Sequence, residues 1–294
     1  MTDVKVAYAP PDIEEARDAG ALILVAEDIA TNQYVLRRIL ERLGYAHEIV
    51  DNGRLALQKY RSGNYGLLLT DFHMPEMDGF ELTDEIRRHE AQTGCARMPI
   101  VAVTADALTG MEARCHAAGM DDFLAKPIDL KSVATVMEKW LPQAAALRRL
   151  VAQRPGHSSE SDLAAQTKSP LFAVDERVLD TSRLAEAFDL SGRAASEFLL
   201  QFIADTPRLL TQVDTALSGS DANQAFTAAH ALKGAARSAG AVGVAQLVDD
   251  VQMRLKDNDF ASAKLLATLL SGKFSEFCAA VRPKCEAALE YEER

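Results

Sequence analysis

The sequence predicts an α/β domain with a parallel, doubly wound sheet, followed by an all-helical bundle. Three observations predict it. Between Ala21 and Trp140, short apolar runs alternate with segments whose apolar residues recur every three or four positions. Four of the five apolar runs end in, or run directly into, Glu27-Asp28, Asp71, Thr104 and Lys126. From Asp175 onward the strand signals vanish and only helical spacing remains.

The first twenty residues are polar, with Pro10-Pro11 and a short acidic patch from Asp12 to Arg17 of helical character. They read as a leader or inter-domain linker and lack the apolar segment of a secretory signal. Ala21 to Ala26 is a buried-strand run ending in Glu27-Asp28. Val35, Leu36, Ile39, Leu40 and Leu43 then predict an amphipathic helix with Gly44 as its stop. His47 to Val50 is a weaker strand, and a helix follows from about Gly53 to Tyr60. Leu67 to Asp71 is the third strand. The loop His73-Met74-Pro75-Glu76-Met77-Asp78-Gly79 leads into a helix from about Phe80 to Glu90. Pro99 to Thr104 is the fourth strand, with a helix around 109–118. Asp122 to Pro127 is the fifth, and Leu130 to Trp140 the fifth helix.

Alternation of this kind means a parallel sheet. Strand order cannot be read from the sequence. In a flavodoxin-like order 2-1-3-4-5, the first and third strands are neighbours at the switch point, where open sheets build their sites. Glu27 and Asp28 would then stand beside Asp71, with Thr104 and Lys126 flanking them. Taken singly, Asp71 is a helix cap, and Thr104 or Lys126 an ordinary structural residue. Together they make a phosphoryl site. Three clustered carboxylates demand either a raised pKa or a cation, and oxygen donors at an open crevice suit Mg²⁺. A carboxylate can attack phosphorus to give an acyl phosphate, with Lys126 and Thr104 meeting the phosphoryl oxygens.

At 294 residues the chain has room for two domains. Its net charge of -11 argues against a chain-wide nucleic-acid or anionic-membrane surface. No apolar run approaches the roughly 20 residues that span a bilayer. Cys95, Cys115, Cys278 and Cys285 have no zinc-type spacing and read as free thiols of a reducing cytosol.

Pro142 to about Phe172 shifts to Ala, Gln, Ser, Pro and Gly. Its first part can extend the preceding helix, and the rest reads as flexible linker. Beyond it, one helix carries Leu179, Leu184, Ala187 and Phe188. A second has a wide apolar stripe from Ala195 to Leu217, which Pro207 should kink or restart. A third runs from about Asp221 to Ser238. A fourth carries Val244, Leu247, Val248, Val251 and Leu255, and a fifth runs from Ala263 to Val281. Short breaks between them predict an antiparallel bundle. In the third helix Ala225, Ala228, Leu232, Ala235 and Ala236 define the packed side. His230, Lys233, Gly234 and Arg237 share the other. A mid-helix glycine costs about 1 kcal/mol against alanine, and access to His230 is one reason for it.

Residues 21–141 resemble a response-regulator receiver domain. The resemblance rests on Glu27-Asp28, the Asp71 strand end with Met74-Pro75 and Met77-Asp78-Gly79, Thr104-Ala105, and Lys126-Pro127. It implies that Asp71 is phosphorylated and that Glu27, Asp28, Asp71 and the His73 backbone carbonyl hold Mg²⁺. It also implies that Phe123 is a switch aromatic, its bland alternative being core packing, and that the Lys126-Pro127 bond is cis. Residues of about 175–285, within a second domain of 175–294, resemble a histidine phosphotransfer (HPt) domain. Here the signature is His230-x-Leu232-Lys233-Gly234, with Gly240 ten residues after the histidine. By that resemblance His230 is the phosphorylated residue, supported by Lys233 and Gly234. Arg237 and Ala239 depart from the family's usual small and larger aliphatic residues.

The expected domains are thus 1–20 leader, 21–141 receiver, 142–174 linker and 175–294 HPt. The expected function is a cytoplasmic phosphorelay. Phosphate passes from an upstream histidine kinase, in cis or in trans, to Asp71, then to His230, then to a downstream response regulator. No kinase ATP site and no DNA-binding output region is recognisable, and no nucleic-acid or membrane contact is expected. A free-standing relay protein and the C-terminal part of a hybrid sensor kinase fit equally. Two rivals have another character: a haloacid-dehalogenase-type phosphohydrolase, for which His73 stands where a second Asp is needed, and an inert docking adaptor.

Overall fold

A computed structural model of the chain describes residues 10–104, 111–152, 174–182, 184, 192–219 and 221–292. Its contacts divide it into two compact units, one built on a sheet and one on helices.

The sheet unit holds β1 (Ile23–Ala26), β2 (His47–Val50), β3 (Leu67–Asp71), β4 (Ile100–Thr104) and β5 (Asp122–Ala125). All pairs are parallel, in the order β2-β1-β3-β4-β5. This is the flavodoxin-like order. The three central strands are buried at every residue, whereas the edge strands β2 and β5 are only partly covered. Near-continuous apolar runs are what a sheet covered on both faces requires. The register decides where the strand tips fall. Ala26 is level with Thr70, so Glu27 comes level with Asp71; Thr104 is level with Ala125, and Lys126 follows.

Each strand is followed by a helix: α2 (Ala30–Arg42), α3 (Gly53–Ser62), α4 (Gly79–Thr93), α5 (Met111–Ala117) and α6 (Leu130–Trp140). Gly44 stops the first of these in the left-handed region, at φ 73°. Asp78 and Glu81 form a reciprocal capping box that starts α4. The expected start of α5, at 109–110, lies outside the described residues, as does Ala105.

Two further helices belong to the sheet unit. In α1 (Ile13–Asp18), Ala16 is buried and Arg17 pairs with Glu48 at 3.0 Å. In α7 (Pro142–Ala152), Leu147 and Val151 are buried. Arg148 donates to the Leu43 carbonyl, and its guanidinium lies 4.2 Å from the Tyr45 ring centroid. These helices fall in stretches whose composition reads as leader and linker. A short helix needs only one small or apolar face to dock, and a polar, alanine-rich segment hides that face well. The remainder of the expected leader, 1–9, and of the linker, 153–173, lies outside the described residues.

The helical unit comprises α8 (Gly192–Ser218), α9 (Ala222–Ser238), α10 (Val242–Lys256), α11 (Phe260–Ala267) and α12 (Leu270–Glu292). α9 packs between α8 and α10, and α12 closes against α8. Phe202 sits edge-on to Phe274 and Phe277, with centroids 6.1 and 5.4 Å away.

The bundle differs from the sequence reading in several places. Leu179 is not helical; it is buried and forms an antiparallel bridge with Ala241. Ala187 and Phe188, expected on the same helix, lie outside the described residues. α8 does not restart at Pro207 but runs on as one helix to Ser218, and beside the proline Thr206 Oγ1 donates to the Phe202 carbonyl at 2.7 Å. The expected fifth helix is two, because Thr268 Oγ1 takes the Leu265 carbonyl at 2.6 Å and competes with the helical ladder. In α9, Ala229 is fully buried whereas Ala228 is only half-buried, and His230 and Gly234, expected on the side away from the packed residues, are buried as well.

Candidate functional site

The sheet places one cluster at its C-terminal edge. Glu27, Asp28 and Asp71 each present a carboxylate oxygen, and these oxygens all lie within 4.8 Å of one another. Lys126 Nζ sits 2.7 Å from Glu27 Oε2 and also pairs with Asp71 Oδ2. Lys126, Glu27 and Asp71 are almost wholly buried. Lys126 is placed by its backbone: its N–H donates to the Thr104 carbonyl at 2.6 Å, and the Lys126–Pro127 bond is cis. Thr104 itself is buried at the tip of β4. The His73 N–H donates to Asp71 Oδ1 at 3.3 Å. Phe123 is half-buried on β5, opposite Ala102.

The electrostatics follow from this packing. Burial pushes the Glu27 carboxyl up to about 8; Asp71 and Asp28 push the same way, against the pull of Lys126. Burial also works against the Lys126 ammonium, yet Asp71 and Glu27 together hold it above the ordinary lysine range. One ammonium facing three carboxylates leaves excess negative charge in an oxygen-only donor set. That chemistry fits a hard divalent cation such as Mg²⁺ and no soft metal.

The loop after β3 is fixed by glycine at a close approach. A Cβ on Gly79 would lie 2.3 Å from the Asp71 carbonyl oxygen, and one on Gly53 would lie 2.4 Å from that of Met77. The Gly79→Ala variant is therefore expected to lose about 1–3 kcal/mol of stability through overpacking. By displacing Asp71 it should slow phosphorylation about 10²-fold. Urea melts and phosphorylation rates of the two proteins check this, and an unchanged rate would show that the loop tolerates the shift.

In the helical unit α9 carries His230, Lys233, Gly234 and Arg237. The Phe226 ring lies 6.2 Å from that of His230 and receives Lys256 at 5.6 Å. Lys233 Nζ is 2.6 Å from Asp249 Oδ1, and an Arg237 guanidinium nitrogen is 2.6 Å from Asp249 Oδ2. With Phe226 against Lys256 and Lys233 against Asp249, α9 and α10 run antiparallel and His230 comes level with Gln252. Gln252 is buried, and its Nε2 has no hydrogen-bond partner among the described residues. Gly240 ends α9 at φ 66°. A Cβ there would lie 2.6 Å from the Asp180 carbonyl oxygen, so the second glycine serves a backbone crossing. Asp249, Gln252, Phe226 and Lys256 were not foreseen. Only Gln252 left a signal, as a polar residue among Val248, Val251 and Leu255.

Comparison with known proteins follows the same division. Residues 23–138 match the family model of the response regulator receiver domain, and residues 197–281 match that of the Hpt domain. Sensor histidine kinase GacS of Pseudomonas protegens is 31% identical over 252 residues, covering 84% of this chain and 25% of its own length. The aerobic respiration control sensor protein ArcB of Escherichia coli is 27% identical over 256 residues, covering 83% of this chain and 30% of its own. The chain thus spans about a quarter to a third of the curated relatives it matches. Among solved structures, the receiver domain of sensor histidine kinase PA1611 from Pseudomonas aeruginosa, with a magnesium ion coordinated in its active-site cleft, is 36% identical. That match covers 42% of this chain and 98% of that one, with a TM-score of 0.38. Among the described residues no helix is long and apolar enough to cross a membrane.

Proposed function

From the presence of a response regulator receiver domain and an Hpt domain in this one chain, we propose that it carries two successive stations of a two-component phosphorelay. Asp71 accepts a phosphoryl group from a histidine kinase, His230 takes it from Asp71, and an aspartate on a separate response regulator receives it in turn. The observation that carries the reading is the convergence of Glu27, Asp28, Asp71 and Lys126 at one strand edge. In this reading the receiver spans 21–141 and the HPt domain 175–294, in the cytoplasm where kinases hold ATP.

Each residue has a task. An Asp71 oxygen attacks phosphorus, and the P–N bond to the donor histidine breaks with its electron pair returning to the imidazole. The Lys126 ammonium and the Thr104 hydroxyl meet the phosphoryl oxygens as they arrive. Glu27, Asp28, Asp71 and the His73 carbonyl would hold Mg²⁺, which would supply charge neutralisation for the transfer. Phe123 is the aromatic that answers phosphorylation by changing its packing. In the second step the lone pair of a His230 nitrogen attacks, the acyl P–O bond breaks and the Asp71 carboxylate is restored. Lys233 accompanies the phosphoryl group, and Gly234 leaves room for the donor.

The kinase stands either in cis or in trans. Alignment of more than four-fifths of this chain with sensor kinases supports the in-cis arrangement, in which the chain is the C-terminal part of a hybrid kinase.

A radiolabel transfer assay from a phosphorylated kinase core tests the reading. Wild type should carry both base-labile acyl phosphate and acid-labile phosphohistidine. Asp71→Asn should reduce both by at least about 10³-fold, since the carboxylate that attacks phosphorus is gone. His230→Gln should retain the acyl phosphate alone, and chelation of Mg²⁺ should stop loading of Asp71. Normal labelling of His230 in the Asp71→Asn variant would mean that the two domains serve separate circuits.

A further inference from the structure

The helical site holds one anion that the proposed transfer chemistry does not use. Asp249 lies on α10 and spends both its oxygens on α9, one on Lys233 and one on Arg237, each at 2.6 Å. Lys233 and Arg237 stand three and seven residues beyond His230, on the same helical face. They are the cations nearest in sequence to that histidine, and one carboxylate engages both.

We propose that Asp249 competes with the phosphoryl group on His230 for Lys233 and Arg237. It thereby lowers the share of phosphate that rests on the histidine and favours its onward transfer. Asp249 is a positioning residue that acts through the two cations. The proposal rests on the reading of His230 as a phosphorylated residue.

The sign follows from charge. An unmodified His230 brings no anion, so Lys233 and Arg237 have Asp249 as their counter-charge. A phosphoryl group brings about two negative charges within one helical turn of Lys233. Asp249 must then share its cations with the phosphoryl group, which raises the free energy of the phosphorylated histidine relative to the acyl phosphate. No bond is made or broken by Asp249, and the P–N and P–O exchange is the one described above. A carboxylate engaging both cations makes the histidine a transit point and not a store.

The experiment uses the full chain, loaded from a phosphorylated kinase core with Mg²⁺. The equilibrium ratio of phosphohistidine to acyl phosphate is read by acid and base lability. Asp249→Asn, which keeps the shape and removes the charge, should raise that ratio about tenfold at low salt, with the gain falling in 0.5 M salt. Asp249→Glu should restore the wild-type ratio. In a Lys233→Gln, Arg237→Gln background the Asp249→Asn change should have little effect, because the cations it releases are absent. Far-UV circular dichroism reports whether each variant is folded, and Asp249→Ser, which also removes the charge, provides the same test if the asparagine variant is not. An unchanged or lowered ratio in folded Asp249→Asn, or a gain that survives loss of both cations, overturns the proposal. If wild type never carries phosphohistidine, the relay reading itself fails, a result distinct from either outcome for Asp249.

Discussion

Replacing Lys126 with methionine should cost the protein about 3–5 kcal/mol of stability at pH 8 without divalent cations. It should also slow phosphorylation of Asp71 by about 10²- to 10³-fold. The stability loss comes from what remains. Glu27 and Asp71 are buried against the ammonium, Asp28 lies within 4.8 Å of both, and methionine would leave three carboxylates with no cation. They can escape only by binding a proton or a metal, and each escape predicts a signature. Glu27 already sits at about 8 with Lys126 present, above the ordinary value of 4.5. In that window the folded state binds more protons than the unfolded one, so stability falls as pH rises from about 4.5 to 8. The variant should therefore lose less at pH 5 than at pH 8. Mg²⁺ at a hundred times its dissociation constant should return about 2.7 kcal/mol, by binding only the folded form. Urea titrations at two pH values, with and without Mg²⁺, decide the matter. A loss that is the same in all four conditions would mean that Lys126 matters for packing and not for charge.

Much of the receiver site was legible because its chemistry lies at strand ends. The residue after a continuous apolar run must emerge at the sheet edge, so Glu27, Asp71, Thr104 and Lys126 could be placed from periodicity alone. Their proximity could not, since strand order depends on which edges pair, and that is not written in any one strand. His230 was legible as a motif on a helix face. Asp249 was not, because an aspartate on an amphipathic helix looks like any solvated charge until the facing helix is in place. Leu179 misled for a related reason. A lone apolar residue near other apolar residues fits helical spacing, and only its bridge to Ala241 shows it extended. That the chain after Pro142 can be helical was legible, but the docking of α7 was hidden by an alanine-rich composition that describes a helix start as well as a linker.

Arg87→Met should be as damaging to stability as the loss of Lys126 while leaving the chemistry intact. Arg87 is largely buried and spends its guanidinium on four groups. It donates to Glu90 at 2.8 Å, Asp121 at 2.7 Å, the Met98 carbonyl at 2.8 Å and the Gly119 carbonyl at 2.9 Å. The two carboxylates in turn accept the backbone N–H groups of Met98 and Ile100, both at 2.8 Å. The network ties α4 to the residues that lead into β4 and β5, at the strand beginnings and thus at the opposite edge from Asp71. Methionine there leaves the buried Glu90 without its cation and the Met98 carbonyl without that donor, while Asp121 and the Gly119 carbonyl keep only the exposed Arg97, which should cost about 3–5 kcal/mol. Lysine should not rescue it, because a single ammonium cannot reproduce a planar fork with four partners. Arg97, which reaches the same Asp121 at 2.9 Å but is 55% exposed, should cost no more than about 1 kcal/mol when replaced by alanine. Phosphorylation per folded molecule should stay within about twofold of wild type in both variants, since neither touches the strand tips. A large fall in that normalised rate for Arg87→Met would show that the two edges of the sheet are coupled, and that the site is held by more than the strand ends that carry it.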